Sequence, residues 1–284
     1  MSQRLNDCLA DHQAIAALFP RLDEARIWFR MPSPISAALR PKGGFTSVDR
    51  DRVFAALTSK AAGTHRAIRV LVDADCVEDA LALSRVLLET CVVVCWIRKD
   101  EEARIDAYLA YLSIHQQRMA EVVDESYGGG SPLATSVRSA ANQSLPLALL
   151  LGGNHIRWAR RHDPATGRFA ALSAYDMFEE VFKQPGHARP LMYDLAYFKE
   201  SVYIHSSMPS LLNLLDRDSN CFSFTNGRSA TDKAEAVGMA NLCMALVLNE
   251  YQGYLKWDVF EPDLEAIAKG ISARSQAPDL FPVT

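Results

Sequence analysis

Between Ala80 and Ile97 the chain reads ALALSRVLLETCVVVCWI, apolar on nearly every helical face but interrupted by Arg85 and Glu89. A helix that is apolar all round is a buried helix, and Arg and Glu are almost never fully buried unless paired. Four residues along a helix advance about 6 Å and turn about 40° beyond a full circle, so these two side chains share a stripe. Base before acid is the weaker order for helix support on a solvated face. With Val86, Leu87, Leu88 and Val92 to Val94 around them, the residues predict a core helix carrying a buried ion pair. Such a pair fixes helix register or equips a functional site, and the segment leaves both readings open.

Helical periodicity dominates the rest of the chain. Leu5, Leu9, His12, Ile15, Ala16 and Phe19 outline a first amphipathic helix, ended by Pro20. Residues 31–47 carry three prolines and a Gly-Gly pair and read as a linker. Ser47 opens a long helix through Val53, Leu57, Ile68 and Leu71, with Gly63 as its one interruption. Asp75 and Glu78 have capping-box spacing for the apolar helix. Asp100 caps the next helix, Glu101 to Val123, whose inner stripe reads Tyr108, Tyr111, His115, Met119 and Val122 before the Gly128-Gly129-Gly130 run. A helix follows Pro190 through His205, then a polar stretch from Asp216 to Ser229 that suits a small hairpin. Asp232 and Glu235 open a last long helix to about Trp257. The pattern predicts an all-α fold, a single irregular helical bundle with a Pro/Gly-rich N-terminal arm. Residues 1–47 form the arm and linker, 48–260 the bundle and 261–284 a C-terminal tail.

At 284 residues, 49% hydrophobic and 23% charged, the chain can bury a sizeable core. A formal net charge of -4 gives no global attraction to nucleic acid or to an anionic membrane. None of the six cysteines forms a C-x-x-C pair, so they read as free thiols in a reducing compartment. The N-terminus lacks the apolar core of a signal peptide, and the longest unbroken apolar run, Cys91 to Ile97, is far short of the roughly 18 residues a span needs. A cytoplasmic protein without membrane contact is the expectation.

The familiar site motifs are missing. No histidine has an acidic residue three positions before it, as bundle di-iron sites require. H-E-x-x-H, G-x-S-x-G, G-x-G-x-x-G and a zinc-type Cys/His spacing are all absent. The acidic cluster Asp73, Asp75, Glu78 and Asp79 reads as helix capping and solvation. No metal and no cofactor are expected. A second polar stripe remains, Tyr197, Ser201 and His205, spanning roughly 12 Å of helix. His205 leans back toward Ser201 while Tyr197 leans away. Taken singly, Ser201 reads as a hydroxyl bonded to its own helix, and His205 as a core residue or a helix C-terminal partner near Pro209. The basic run Arg157, Arg160, Arg161, His162 and Arg168 suits phosphate contacts or a solvated face.

DALALSRVLLE, the Tyr-rich helix after it and the later Y-x-x-x-S-x-x-x-H together resemble an uncharacterised bacterial family of helical proteins. The likeness covers about residues 48–257 and implies no agreed activity. More distantly the chain resembles the HEPN superfamily, which implies metal-independent RNases of toxin and phage-defence systems that act as dimers. Their hallmark is Arg, four to six residues, then His. Lys199 and Glu200 stand where His205 would need that Arg, whereas Arg157 and His162 satisfy the spacing.

Two functions fit these residues. In one, the chain is a binding or scaffold component whose polar residues form a closed internal network, with a protein partner in a toxin or defence setting. In the other, it is an RNase or related hydrolase with RNA as partner, working as a homodimer. There His205 is general acid or base, Ser201 orients it or is its nucleophile, Arg85 held by Glu89 stabilises the anionic transition state, and Tyr197 donates a hydrogen bond. His115, Tyr111 and Arg157 would line the substrate site. The empty motif search favours the binding reading.

Overall fold

The first helix, α1 (Gln3–Ala16), starts where Ser2 Oγ accepts a bond from Leu5 N and buries Leu5, His12 and Ile15, a stripe at helical spacing. This is a computed structural model, and it describes residues 2–22, 47–128, 130–142, 159–163, 168–182, 215–216, 221–222, 229–256 and 260–275. Most of the linker 31–47, the helix expected after Pro190 and the final residues 276–284 lie outside them. The described residues form an all-α protein with two short antiparallel ladders.

Helix α2 (Ser47–Asp73) runs unbroken through Gly63. It ends in a Schellman motif. Asp75 takes a left-handed conformation at φ 62°, Asp75 N donates to Val72 O at 3.2 Å and Cys76 N to Leu71 O at 2.8 Å. Asp75 thus closes α2, and its carboxylate meets Lys233 Nζ at 2.5 Å. That displaces the capping box expected at Asp75 and Glu78: a residue spent on closing one helix cannot also cap the next. Helix α3 (Val77–Arg98) is the apolar helix. By length and composition it is the one described helix that could cross a membrane, yet 67% of its apolar window is buried inside the protein.

The chain divides into two compact units. The first holds residues 1–28, 56–96 and 178–284, with α1, most of α2, nearly all of α3, α7 (Ala230–Leu255) and α8 (Glu261–Ser275). Here α1 packs on both α7 and α8. Helix α7 opens on Ser229, whose Oγ accepts from Asp232 N at 3.2 Å, and buries residues all round from Ala234 to Gln252. Residues 261–275, expected as tail, are helical because Leu264 and Ile267 reach the core at i,i+3 spacing. Trp96 Nε1 donates to Glu180 Oε2 at 3.1 Å in the same unit.

The second unit, residues 29–55 and 97–177, holds the start of α2, α4 (Glu101–Tyr127), α5 (Pro132–Asn142), the hairpin β1 (Arg160–Asp163) to β2 (Arg168–Ala171), and the start of α6 (Ala174–Phe182). Arg50 grips Asp106 with two parallel bonds of 2.9 Å, tying α2 to α4. The α4–α5 corner is closed by Asp124, which pairs with Arg138 and accepts from Gly130 N at 3.3 Å. Helix α6 opens on a reciprocal cap between Ser173 and Asp176. The second ladder, β3 (Leu215–Asp216) with β4 (Cys221–Phe222), belongs to the first unit and overlaps the stretch read as a hairpin, whose Asn226-Gly227 lies outside the described residues.

One stripe is reversed. The buried face of α4 is Ile105, Leu109, Ala110, Ser113, Ile114 and Ala120. Of the residues read as its inner stripe, His115, Met119 and Val122 are exposed, and Tyr108 and Tyr111 are half-buried. Helix α4 carries two apolar stripes; periodicity finds both, and the smaller side chains allow the closer packing.

Two glycines test this backbone. Gly63 lies exposed in mid-helix, and an added Cβ meets nothing within 4 Å, so Gly63→Ala raises stability by about 0.5–1 kcal/mol. Gly128 ends α4 at φ 84°, where a side chain is strained, so Gly128→Ala lowers stability by about 1–3 kcal/mol. Urea denaturation of the two variants reads both signs.

Candidate functional site

Helix α3 is buried on every side but one. Ala82, Leu83, Arg85, Val86, Glu89 and Val93 form its half-buried stripe, and the expected pair sits there, Arg85 Nη2 to Glu89 Oε1 at 3.1 Å. The two ends differ: the Arg85 side chain is 11% exposed and that of Glu89 46%. The guanidinium is packed against the core while the carboxylate meets water, so the pair stands at the rim and not in the interior. The hydroxyls facing inward are spent locally, Ser84 Oγ on Leu81 O at 2.8 Å and Thr90 Oγ1 on Val86 O at 2.9 Å.

Among the described residues, the most deeply buried polar cluster lies elsewhere in the first unit. It consists of His12 on α1, His65 on α2 and Asn241 on α7, with His65 and Asn241 fully buried and His12 nearly so. Asn241 Nδ2 donates to the Cys8 carbonyl at 2.8 Å, which leaves Oδ1 as acceptor for His65 Nε2 at 3.0 Å. His65 therefore carries its proton on Nε2, a tautomer assigned from this network. His12 Nε2 donates to the His65 carbonyl at 3.0 Å. The two imidazoles stack at 3.9 Å with only 4° between their planes. Phe19 packs edge-on against His65, and Arg66 covers the Phe19 ring.

Both rings are held neutral. Burial, then the neighbouring His12, pushes His65 down to about 3, against a smaller lift from its Asn241 bond. Burial likewise lowers His12, opposed by its bond to the His65 carbonyl. A third buried group joins Cys91, Cys95 and Cys243, all free thiols. Cys91 Sγ lies 4.0 Å from Cys95 Sγ, and its bond with the Cys243 thiol, with burial adding, pushes Cys91 well above the usual thiol range. Such a thiol is unreactive. No group of three or more His, Cys, Asp or Glu among the described residues is placed to hold a metal ion.

Of the residues the sequence puts forward, Arg85 and Glu89 are joined in the first unit, and Tyr111 and His115 lie on α4 in the second. Tyr197, Ser201, His205 and Arg157 lie outside the described residues.

Residues 51–222, more than half of the chain, match the model of a family of unknown function, DUF5677. The chain belongs to this family. No curated protein and no solved structure matches it. The DUF5677 segment contains Arg85, Glu89 and His65, whereas His12 and Asn241 lie on helices that flank it. The histidine cluster is thus where the helices outside the family segment are keyed to a helix within it.

Sequence reading missed His65 and Asn241 and took His12 only as part of an apolar stripe. The signal that singled out Arg85 was available for Asn241 too, a polar residue inside GMANLCMALVL. His65 sits on a stripe with Ala61, Ala62, Ile68 and Val72. Nothing in the order of residues says that positions 53 and 176 apart will meet.

Two outcomes follow from this geometry. Asn241→Leu keeps the volume but strands the His65 Nε2 proton and the Cys8 carbonyl, and lowers stability by about 2–4 kcal/mol in urea denaturation. The histidines also set a pH dependence. Their folded pKa values lie below the unfolded 6.5, so the unfolded chain binds more protons in acid. Stability is complete above about pH 6.5 and falls toward pH 3, by about 1.4 kcal/mol per pH unit for His65 alone. Denaturation midpoints between pH 7 and 4 read it, and His65→Gln flattens the fall relative to the wild type.

Proposed function

We propose that the protein is a helical binding or scaffold component, with a cytoplasmic protein partner in a toxin or phage-defence setting. The closed histidine cluster supports this reading. The Nε2 protons of both rings and the Asn241 amide are spent on joining α1, α2 and α7, and the two imidazoles stay neutral and away from solvent. A general acid or base has to reach a substrate and titrate near the working pH; His65 does neither. The Glu89 carboxylate, held by Arg85 at the rim of α3, adds an oriented anion to the surface that a partner would meet.

The test is biochemical. Labelled single-stranded RNA incubated in chelator with the wild type and with His205→Ala stays intact in both, and crosslinking in cells gives a species heavier than the 31.4 kDa chain. RNA cleavage by the wild type that disappears in His205→Ala overturns the proposal and puts a metal-independent RNase in its place. A chain that crosslinks to nothing overturns it as well.

A further inference from the structure

Among the described residues, five large apolar side chains are exposed, and four of them, Met119, Val122, Tyr127 and Leu133, fall between residues 119 and 133. Single exposed apolar residues are ordinary; Met119 and Val122 stand together on one stripe of α4, whereas Tyr127 lies off that stripe and Leu133 is on α5. On α4 the stripe continues as Tyr111, His115, Met119 and Val122, with steps of three or four residues. Met119 is 48% and Val122 41% exposed, while α5 packs on α4 and the Asp124–Arg138 pair joins the two helices. This face of α4 carries the pattern of a packing surface and is left open.

Its charges say what fits it. Arg118 and Glu125 are seven residues apart, two helical turns, so they share one flank of the stripe. Arg118 is 54% exposed and holds Glu121 of its own helix at 3.0 Å; Glu125 is exposed. When two copies of a helix pair antiparallel about a two-fold axis, like flanks face each other. An axis beside residues 121 and 122 brings Arg118 of each copy to Glu125 of the other and keeps Met119 and Val122 within a turn of the axis. The surface is self-complementary, as a two-fold interface must be.

We propose that α4 is a homodimer surface, in which a second copy of this chain pairs antiparallel along Gln116 to Tyr127. The proposal deepens the binding reading, on which it rests, by naming one partner. A contact made by one helix per copy falls at the small end of specific interfaces, below about 1,200 Å² in total, which is the range of reversible association. Such a dimer is reversible, so its population depends on concentration.

Sedimentation equilibrium of the full chain from about 1 to 500 μM, a span centred on micromolar association, reads it. The wild-type mass rises toward twice that of the chain, and Val122→Lys holds it at the single-chain value with circular dichroism and melting temperature unchanged. Arg118→Glu and Glu125→Arg each weaken association about 10-fold, because every change acts at both symmetric contacts. The double variant Arg118→Glu/Glu125→Arg restores it. A wild type that stays at single-chain mass throughout, or a dimer indifferent to Val122→Lys and to the charge swaps, overturns the proposal. In either case a crosslinked complex with a different protein leaves the binding reading standing.

Discussion

The hydrogen bond from His65 Nε2 to Asn241 Oδ1 is the constraint around which the first unit is arranged. It works only if the amide is turned so that Nδ2 reaches the Cys8 carbonyl, and only if the imidazole keeps its proton on Nε2. Three helices far apart in the chain are thereby brought to one register. An apolar contact tolerates sliding and rotation, whereas a buried donor facing a buried acceptor does not, because each unmade bond in the interior carries its full desolvation cost. Stacking of His12 on His65 extends the same demand to α1. Neutrality is part of the design, since two charged rings at 3.9 Å in a dry setting would repel each other.

Two polar features of the first unit share a chemistry of pairing but differ in solvent. Arg85 and Glu89 form the bond that their spacing implies, yet water reaches the carboxylate, so the pair contributes on the scale of a surface ion pair. The histidine cluster is sealed. Burial decides which of the two holds helices together, and burial is a property of what packs on each helix.

The division between family segment and flanking helices gives the cluster its meaning in the chain. The DUF5677 segment holds most of α2 and all of α3 to α6, and α1, α7 and α8 lie outside it in the chain. The added helices are not loosely attached: α1 and α7 pack on each other and are bonded to His65.

The residues alone determined a good deal. Helix content, the buried character of α3, the long α2 and α7, and the Arg85–Glu89 contact all follow from local rules of spacing, propensity and hydropathy acting within a few turns. Tertiary structure decided the rest. Whether His115 or Ser113 faces the core of α4 depends on which of two stripes finds the tighter partner. Whether Asp75 opens α3 or closes α2 depends on the left-handed corner and on Lys233. Whether residues 261–275 trail away or fold depends on a groove for Leu264 and Ile267. That His65 meets Asn241 depends on all of these at once, because contacts between distant residues are set by the packing of whole helices, which no local pattern encodes.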